Sequence, residues 1–208
     1  MNDDELEQLS LSELITIVAN QRVDHFTVLE VAADQDRLTA EGHLVAAALI
    51  RSLALTEGFL SMVEQANRFA AVPLIRMQLD SAMRVLACSL VTDPFDFARH
   101  ILEGGRPSQY TSRDGVRLFD AFLLDELAKR TPHVRDIYEE TSGFVHLSRH
   151  HLFGVVDVDK VFSDQKIVFH EYQSIPPWSE ADRKSAILLF SWASEVLLDM
   201  CKDWRLRV

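Results

Sequence analysis

The chain has little cysteine, no long apolar run and no basic segment at its amino terminus. Its two cysteines, Cys88 and Cys201, lie in apolar helical patterns, which indicates buried free thiols in a reducing compartment. No run approaches the ~18 to 20 uninterrupted apolar residues of a membrane span. The start of the chain, residues 1–5, is acidic, whereas a secretory signal is basic and then apolar. We therefore expect a cytoplasmic protein with no membrane partner.

Positive charge is also scarce. The 208 residues include 21 Lys and Arg against 32 Asp and Glu, a formal net charge of -11. Such a charge repels a phosphate backbone at long range, so we do not predict DNA binding, although a small basic pocket could still meet RNA. With 48% apolar residues the chain can bury a full core, and its length favours a single helical domain over residues 1–208.

Apolar residues recur at helical spacing over most of the chain. The predicted helices run from Ser10 or Ser12 to about Ala33, from about Thr39 to Arg68, from Leu74 to Leu90 with Pro73 in the first turn, from Thr92-Asp93-Pro94 to Gly104-Gly105, from a cap at Asp120, from Thr131-Pro132, and from a cap at Ser179 towards the carboxyl end. The polar segment 106–119 is predicted to be the longest loop.

The pattern changes after Gly154 to short runs of β-branched residues. These runs are residues 155–158 and 166–172, with a polar turn between them, and they predict a β-hairpin over about 155–172. An isolated hairpin is weak in water, so we expect it to lie across the helices or to pair with a second copy of the chain. The predicted fold is mainly α, a helical bundle with a C-terminal β-hairpin before the last helix.

Two helices carry polar residues inside apolar patterns. Tyr138, Ser142 and His146 project along one side of one helix, and Arg76 and Asp80 lie one turn apart on another. Buried charges need partners, so the two stripes are expected to meet if these helices pack together. The meeting would form either a structural polar cluster that sets helix register, or a pocket in which His146 acts as acid or base beside a guanidinium.

These motifs carry a family resemblance. Residues 73–80, followed by Ile137-Tyr138 and residues 142–148, resemble an uncharacterised group of bacterial all-α proteins, with an Arg and an acidic residue one turn later, then a Tyr, small residue, Val-His segment. That group is distantly similar to HEPN domains, helical bundles of toxins and anti-phage systems, several of which are dimeric, metal-independent ribonucleases. The resemblance implies a dimer that acts on RNA without a cofactor. The implied catalytic residues are Arg76, Asp80, Tyr138, Ser142 and His146.

The chain departs from the HEPN nuclease pattern, which places an Arg a few residues before a His on one helix. Arg135 lies too far before His146, and Arg149 lies too close to His150 and His151. Catalysis would therefore need Arg76, from a different helix, to replace the missing arginine.

A metal site is a weaker alternative. His146 and His150 are spaced as helical ligand pairs are, and His151 and His170 could join them, but no HExxH motif or cysteine pair accompanies them. We predict no metal and no cofactor. The two leading hypotheses are thus an HEPN-like toxin or defence component that acts on RNA, and a non-catalytic interaction or oligomerisation module with a structural polar cluster.

Overall fold

The computed structural model describes residues 8–32, 39–145 and 177–205. Within these ranges the helices, in chain order, are α1 (Leu11–Asn20), α2 (Arg22–Ala32), α3 (Ala40–Glu64), α4 (Arg68–Leu90), α5 (Pro94–Leu102), a short 3-10 turn (Pro107–Gln109), α6 (Asp120–Ala128), α7 (Val134–Val145) and α8 (Glu180–Arg205). The mainly α character predicted from the sequence is confirmed.

The core lies around α4, which packs against both α3 and α8. Phe59 of α3 and Phe190 of α8 are fully buried and stack with ring centroids 4.2 Å apart and planes 11° apart. α5, α6 and α7 pack on other faces of α4, and α1 and α2 cover α3 and α8. α4 is therefore the central helix of the core.

Helix starts follow the capping residues in the sequence. Ser10, rather than Ser12, caps α1 with a capping box to Glu13. Asp93 caps α5, with Pro94 in the first turn, and the Ser179 hydroxyl accepts from the Asp182 amide at 3.1 Å in front of α8. These local hydrogen bonds satisfy amide donors that no helical carbonyl can reach.

Three predicted boundaries are corrected. The first predicted helix is two helices, because α1 ends at a C-cap on Gln21 and α2 begins at Arg22. α4 begins at Arg68, capped by Asn67, so Pro73 lies inside the helix and not at its first position. Asp120 is the first residue of α6 and not its cap. For α4 and α6, a residue typical of helix starts lay near the true boundary without forming it.

The prediction of a β-hairpin is wrong as part of the fold class. The described ranges 8–32, 39–145 and 177–205 contain no strand, only an isolated antiparallel bridge between Thr111 and Arg117. The segment to which the hairpin was assigned, about 155–172, lies outside the described residues. Short β-branched runs are a weaker signal than long helical periods, and a two-stranded hairpin needs pairing and cover that local sequence does not supply.

Within the part of the chain that the structure describes, one helix is apolar enough to raise the question of a membrane. By length and composition alone α3 could cross one, with a mean hydropathy of 1.5 over its most apolar window. A core helix of a soluble protein meets the same criterion, and α3 packs here against α4 and α5. The finding is weak evidence for a span.

Candidate functional site

The polar stripes of α4 and α7 meet where these helices pack against each other. Arg76 is 8% exposed, and its Nη1 group pairs with the Asp80 carboxylate one turn further along α4. Its Nε donates to Ser142 Oγ of α7 at 3.3 Å. Its guanidinium carbon lies 3.4 Å from the centre of the Tyr138 ring. We call these four side chains the Arg76 cluster, and the structure thus brings together four of the five predicted site residues.

The serine of this cluster has a defined hydrogen-bonding role. Ser142 donates its hydroxyl proton to the Tyr138 carbonyl oxygen, 2.6 Å away in the preceding turn of α7. Its oxygen is then free to accept from Arg76. A serine whose proton is held by a helical carbonyl has no general base beside it, so this geometry does not activate Ser142 as a nucleophile.

The tyrosine is held in its neutral form. Burial raises the pKa of Tyr138, and the negative charges of Asp120 and Asp80 act in the same direction, while the Arg76 charge opposes them. The phenol therefore keeps its proton at neutral pH. In this state the ring offers its electron-rich face to the guanidinium and its hydroxyl as a hydrogen-bond donor.

Two more guanidinium groups surround the cluster. Arg84, one turn beyond Asp80, pairs with Asp120 Oδ1 at 3.1 Å. Arg51 of α3 donates to Ser81 Oγ at 2.8 Å. Burial lowers the pKa of Arg51, and the positive charge of Arg84 adds to this, whereas the Asp80 carboxylate opposes it. Three positive and two negative groups thus share one locally basic region on an acidic protein, and sequence reasoning had missed Arg51.

The fifth predicted site residue, His146, lies outside the described residues, as do His150, His151 and His170 of the alternative metal site. Among residues 8–32, 39–145 and 177–205 no group of three or more histidine, cysteine or acidic side chains could hold a metal ion. The acid or base role of His146 stays a prediction.

A second buried polar group, which the sequence reasoning did not single out, joins α2, α3, α4 and α8. We call His25, Ser52, Gln78 and Ser194 the inner polar cluster; each is buried. His25 Nε2 lies 2.8 Å from Ser52 Oγ, and the Gln78 amide nitrogen donates both to Ser52 Oγ and, at 3.0 Å, to Ser194 Oγ. In the sequence, this cluster is visible only as single polar residues on otherwise apolar helix faces.

The hydrogen bonds of the inner polar cluster define the histidine tautomer. His25 Nδ1 lies 3.0 Å from the Gln21 carbonyl oxygen, which can only accept, so Nδ1 carries the proton. Nε2 then accepts from the Ser52 hydroxyl. Burial lowers the pKa of His25, and the bond to Gln21 and the charge of Asp24 oppose this effect. The arrangement holds a neutral imidazole in the core and exposes none of it to a substrate.

Chemically, the two clusters differ in access. The inner polar cluster is sealed, whereas the Arg76 cluster has an edge in solvent, since the Asp80 side chain is 28% exposed and Arg84 lies beside it. A ligand could reach that edge more readily than the guanidinium of Arg76, which is almost fully buried.

Comparison with known proteins finds no matching family model, no matching curated protein and no matching solved structure.

Proposed function

We propose that the chain is a non-catalytic helical interaction module in which the Arg76 cluster holds α7 in register on α4. The observation that supports this is the burial of Arg76, 8% exposed, with a carboxylate, a hydroxyl and an aromatic face all supplied by the protein itself. A planar guanidinium with directional donors is well suited to define one helix register.

The same contacts argue against a direct catalytic role for Arg76. An arginine that stabilises a transition state must direct its N–H groups at the position where negative charge develops. Here Nη1 and Nε point at Asp80 and Ser142, and one face of the group is covered by Tyr138. To direct Nη1 or Nε at a substrate, Arg76 would have to release Asp80 or Ser142.

Exposed apolar side chains favour self-association as the activity of such a module. Phe26 on α2 and Ile50 on α3 are large apolar residues that are half or more exposed, and these two helices pack against each other. A contiguous exposed apolar patch is typical of a surface that docks another protein, and we propose that Phe26 and Ile50 belong to one such patch. We propose a homodimer as the simplest assembly.

The structural role is tested by truncating Arg76. The Arg76→Ala variant should lower the free energy of unfolding by about 2 to 4 kcal/mol, since it leaves Asp80 unpaired beside an emptied space. Arg84→Ala, on the same helix but in a half-exposed ion pair, should cost about 1 kcal/mol or less. Urea unfolding of both variants measures the difference, and equal small losses would contradict the proposal.

A second candidate function is the HEPN-like, metal-independent action on RNA within a cytoplasmic defence or toxin system. It is favoured by the charges around Asp80, where Arg51, Arg84 and the partly exposed carboxylate offer contacts for a phosphate and a hydroxyl. In this hypothesis Arg76 and Tyr138 support the site, and His146 supplies the acid or base.

RNA cleavage separates the two candidates. Purified protein is incubated with labelled single-stranded RNA in EDTA, alongside the His146→Ala and Arg84→Gln variants. The interaction-module proposal expects no cleavage by any of the three proteins. If His146→Ala abolishes cleavage while its unfolding curve stays unchanged, the nuclease hypothesis replaces the interaction-module proposal. Light scattering on the same samples measures the oligomeric state.

A further inference from the structure

A cavity of about 220 Å³ lies among α3, α4, α5 and α8, away from both polar clusters. Its apolar lining consists of Val85, Leu86, Pro94, Met200 and Trp204. For comparison, an engineered apolar cavity of ~150 Å³ holds benzene. The space is therefore sufficient for one aromatic ring with a short substituent and too small for most drug-sized ligands.

One polar atom in this cavity has no partner. Glu41, in the first turn of α3, lines the cavity, and its Oε2 is buried without a hydrogen bond to any part of the chain that the structure describes. A buried carboxylate oxygen without a donor is costly, by roughly 1 to 3 kcal/mol or more for a charged group. The helix dipole favours negative charge at this end of α3, and a positively charged N–H donor would supply the missing hydrogen bond.

The positive side chains at the cavity do not supply that donor. Arg113 donates to the Ser89 carbonyl oxygen at 2.7 Å, and Arg130 pairs with Asp203 at 3.0 Å. An anion is a poor fit for this cavity. An entering carboxylate would face Glu41, and the charge of Arg130 is already matched by Asp203.

Three more polar groups line the cavity: the Ser89 hydroxyl, which donates to the Leu86 carbonyl oxygen, the Asp203 carboxylate, which is paired with Arg130, and the Cys88 thiol, which stays neutral. Burial, with a further contribution from the Glu41 charge, raises the pKa of Cys88 to about 12. The thiol is protonated at neutral pH and is neither a nucleophile nor a second negative charge. Asp203 and Ser89 already have partners, so Glu41 is the group that offers an unfilled hydrogen bond to a ligand.

We propose that this cavity binds a small organic cation, an amine or amidine on a compact apolar body, whose N–H groups pair with Glu41. The apolar body occupies the space between Leu86, Met200 and Trp204. The Glu41 carboxylate supplies both the charge and the acceptor geometry for a bidentate amidinium.

The test compares three probes of the same shape: benzamidine, which is a cation, benzamide, which is neutral, and benzoate, which is an anion. Calorimetry on the full chain should show benzamidine binding at least tenfold more tightly than benzamide, and no benzoate binding. Of the tryptophan indole N–H signals in an NMR spectrum, that of Trp204 should shift most with benzamidine.

Variants then test the role of Glu41. Glu41→Gln keeps the shape of the side chain and should weaken benzamidine binding at least tenfold, while Glu57→Gln, an exposed change on the same helix, should leave it unchanged. The proposal is overturned if benzamidine does not bind at millimolar concentration, if benzamide binds equally well, or if Glu41→Gln has no effect. The probe comparison needs no variant, so it stands even if Glu41→Gln fails to fold.

Discussion

At the scale of single residues, the structure buries two titratable side chains, Arg76 and His25, and gives both a set of partners. Arg76 and His25 illustrate two ways of doing so. Arg76 is matched by a carboxylate and an aromatic face, whereas burial lowers the pKa of His25, whose ring accepts from the Ser52 hydroxyl. Both solutions avoid an unpaired charge in the interior.

The neutral state of His25 makes stability depend on pH. Because its folded pKa lies below the unfolded value of about 6.5, the unfolded chain takes up a proton first as the pH falls. Its contribution is therefore fully present above about pH 6.5 and is lost as the pH falls towards the folded pKa. We expect the free energy of unfolding to fall between pH 7 and pH 5, and urea titrations across this range measure it.

The change in the free energy of unfolding with pH should depend on His25 in particular. His25→Gln, which can still accept from Ser52, should flatten the pH dependence between pH 7 and pH 5 even if it lowers stability overall. His133→Gln is the control, since the His133 side chain is 82% exposed. An unchanged slope in His25→Gln would show that other groups carry the pH dependence.

At the scale of elements, the junction between α3 and α4 shows how a helix can end without a glycine at its C-terminus. The Asn67 amide donates to the Met62 carbonyl at 2.8 Å and the Ala66 amide to the Val63 carbonyl at 3.0 Å, the hydrogen bonds of a Schellman motif. This motif places Ala66 in the left-handed region, with a φ of 53°. Alanine is strained there, because its Cβ approaches the following carbonyl oxygen.

Glycine at this position should therefore stabilise the protein. We expect Ala66→Gly to raise the free energy of unfolding by about 0.5 to 1 kcal/mol, since relief of the backbone strain exceeds the added entropy of the unfolded chain. Ala54→Gly, in the interior of α3, should instead lose about 0.5 to 1 kcal/mol. Thermal unfolding of both variants provides the comparison, and a loss in Ala66→Gly would refute the strain argument.

At the scale of the whole molecule, α8 completes the core although it follows α7 only after a long segment outside the described residues. Its buried face packs on α4, and Phe190 stacks on Phe59 of α3. The final helix is thus part of the common core and not an addition to it.

Removing that stacked ring tests the arrangement. We expect Phe190→Ala to lower the free energy of unfolding by about 3 to 5 kcal/mol, from lost burial and the cavity left between α3 and α8. Phe95→Ala removes a half-exposed ring and should cost within about 0.5 kcal/mol. Similar small losses in the two variants, measured by urea unfolding, would mean that α8 does not pack in the core as described.

The fold could be predicted from the sequence where the signals are local. The caps Ser10, Asp93 and Ser179 and the long apolar periods located most helices. Two predicted starts were wrong although their residues are typical of helix starts: Pro73 lies in the interior of α4, and Asp120 is the first residue of α6 and not its cap. The hairpin prediction rested on short β-branched runs, which are a weaker signal than a long helical period, and the described ranges contain no strand.

The candidate site was predictable in part, for a related reason. Arg76 and Asp80 share a helix face, so their pairing follows from helical geometry. That Arg76 would also meet Ser142, 66 residues later, depended on α4 packing against α7. Arg51 and Glu41 were missed because their surroundings are built from distant helices.

The sequence by itself determined the helical class of this protein and most of its helix starts, since helical periods and capping bonds join residues within a few positions of each other. Only the tertiary structure decided which buried polar groups found partners. It enclosed Arg76 between Asp80, Tyr138 and Ser142, and it left one oxygen of Glu41 unpaired. Those outcomes depend on how helices that are distant in the chain pack together, and a pattern of neighbouring residues does not specify that packing.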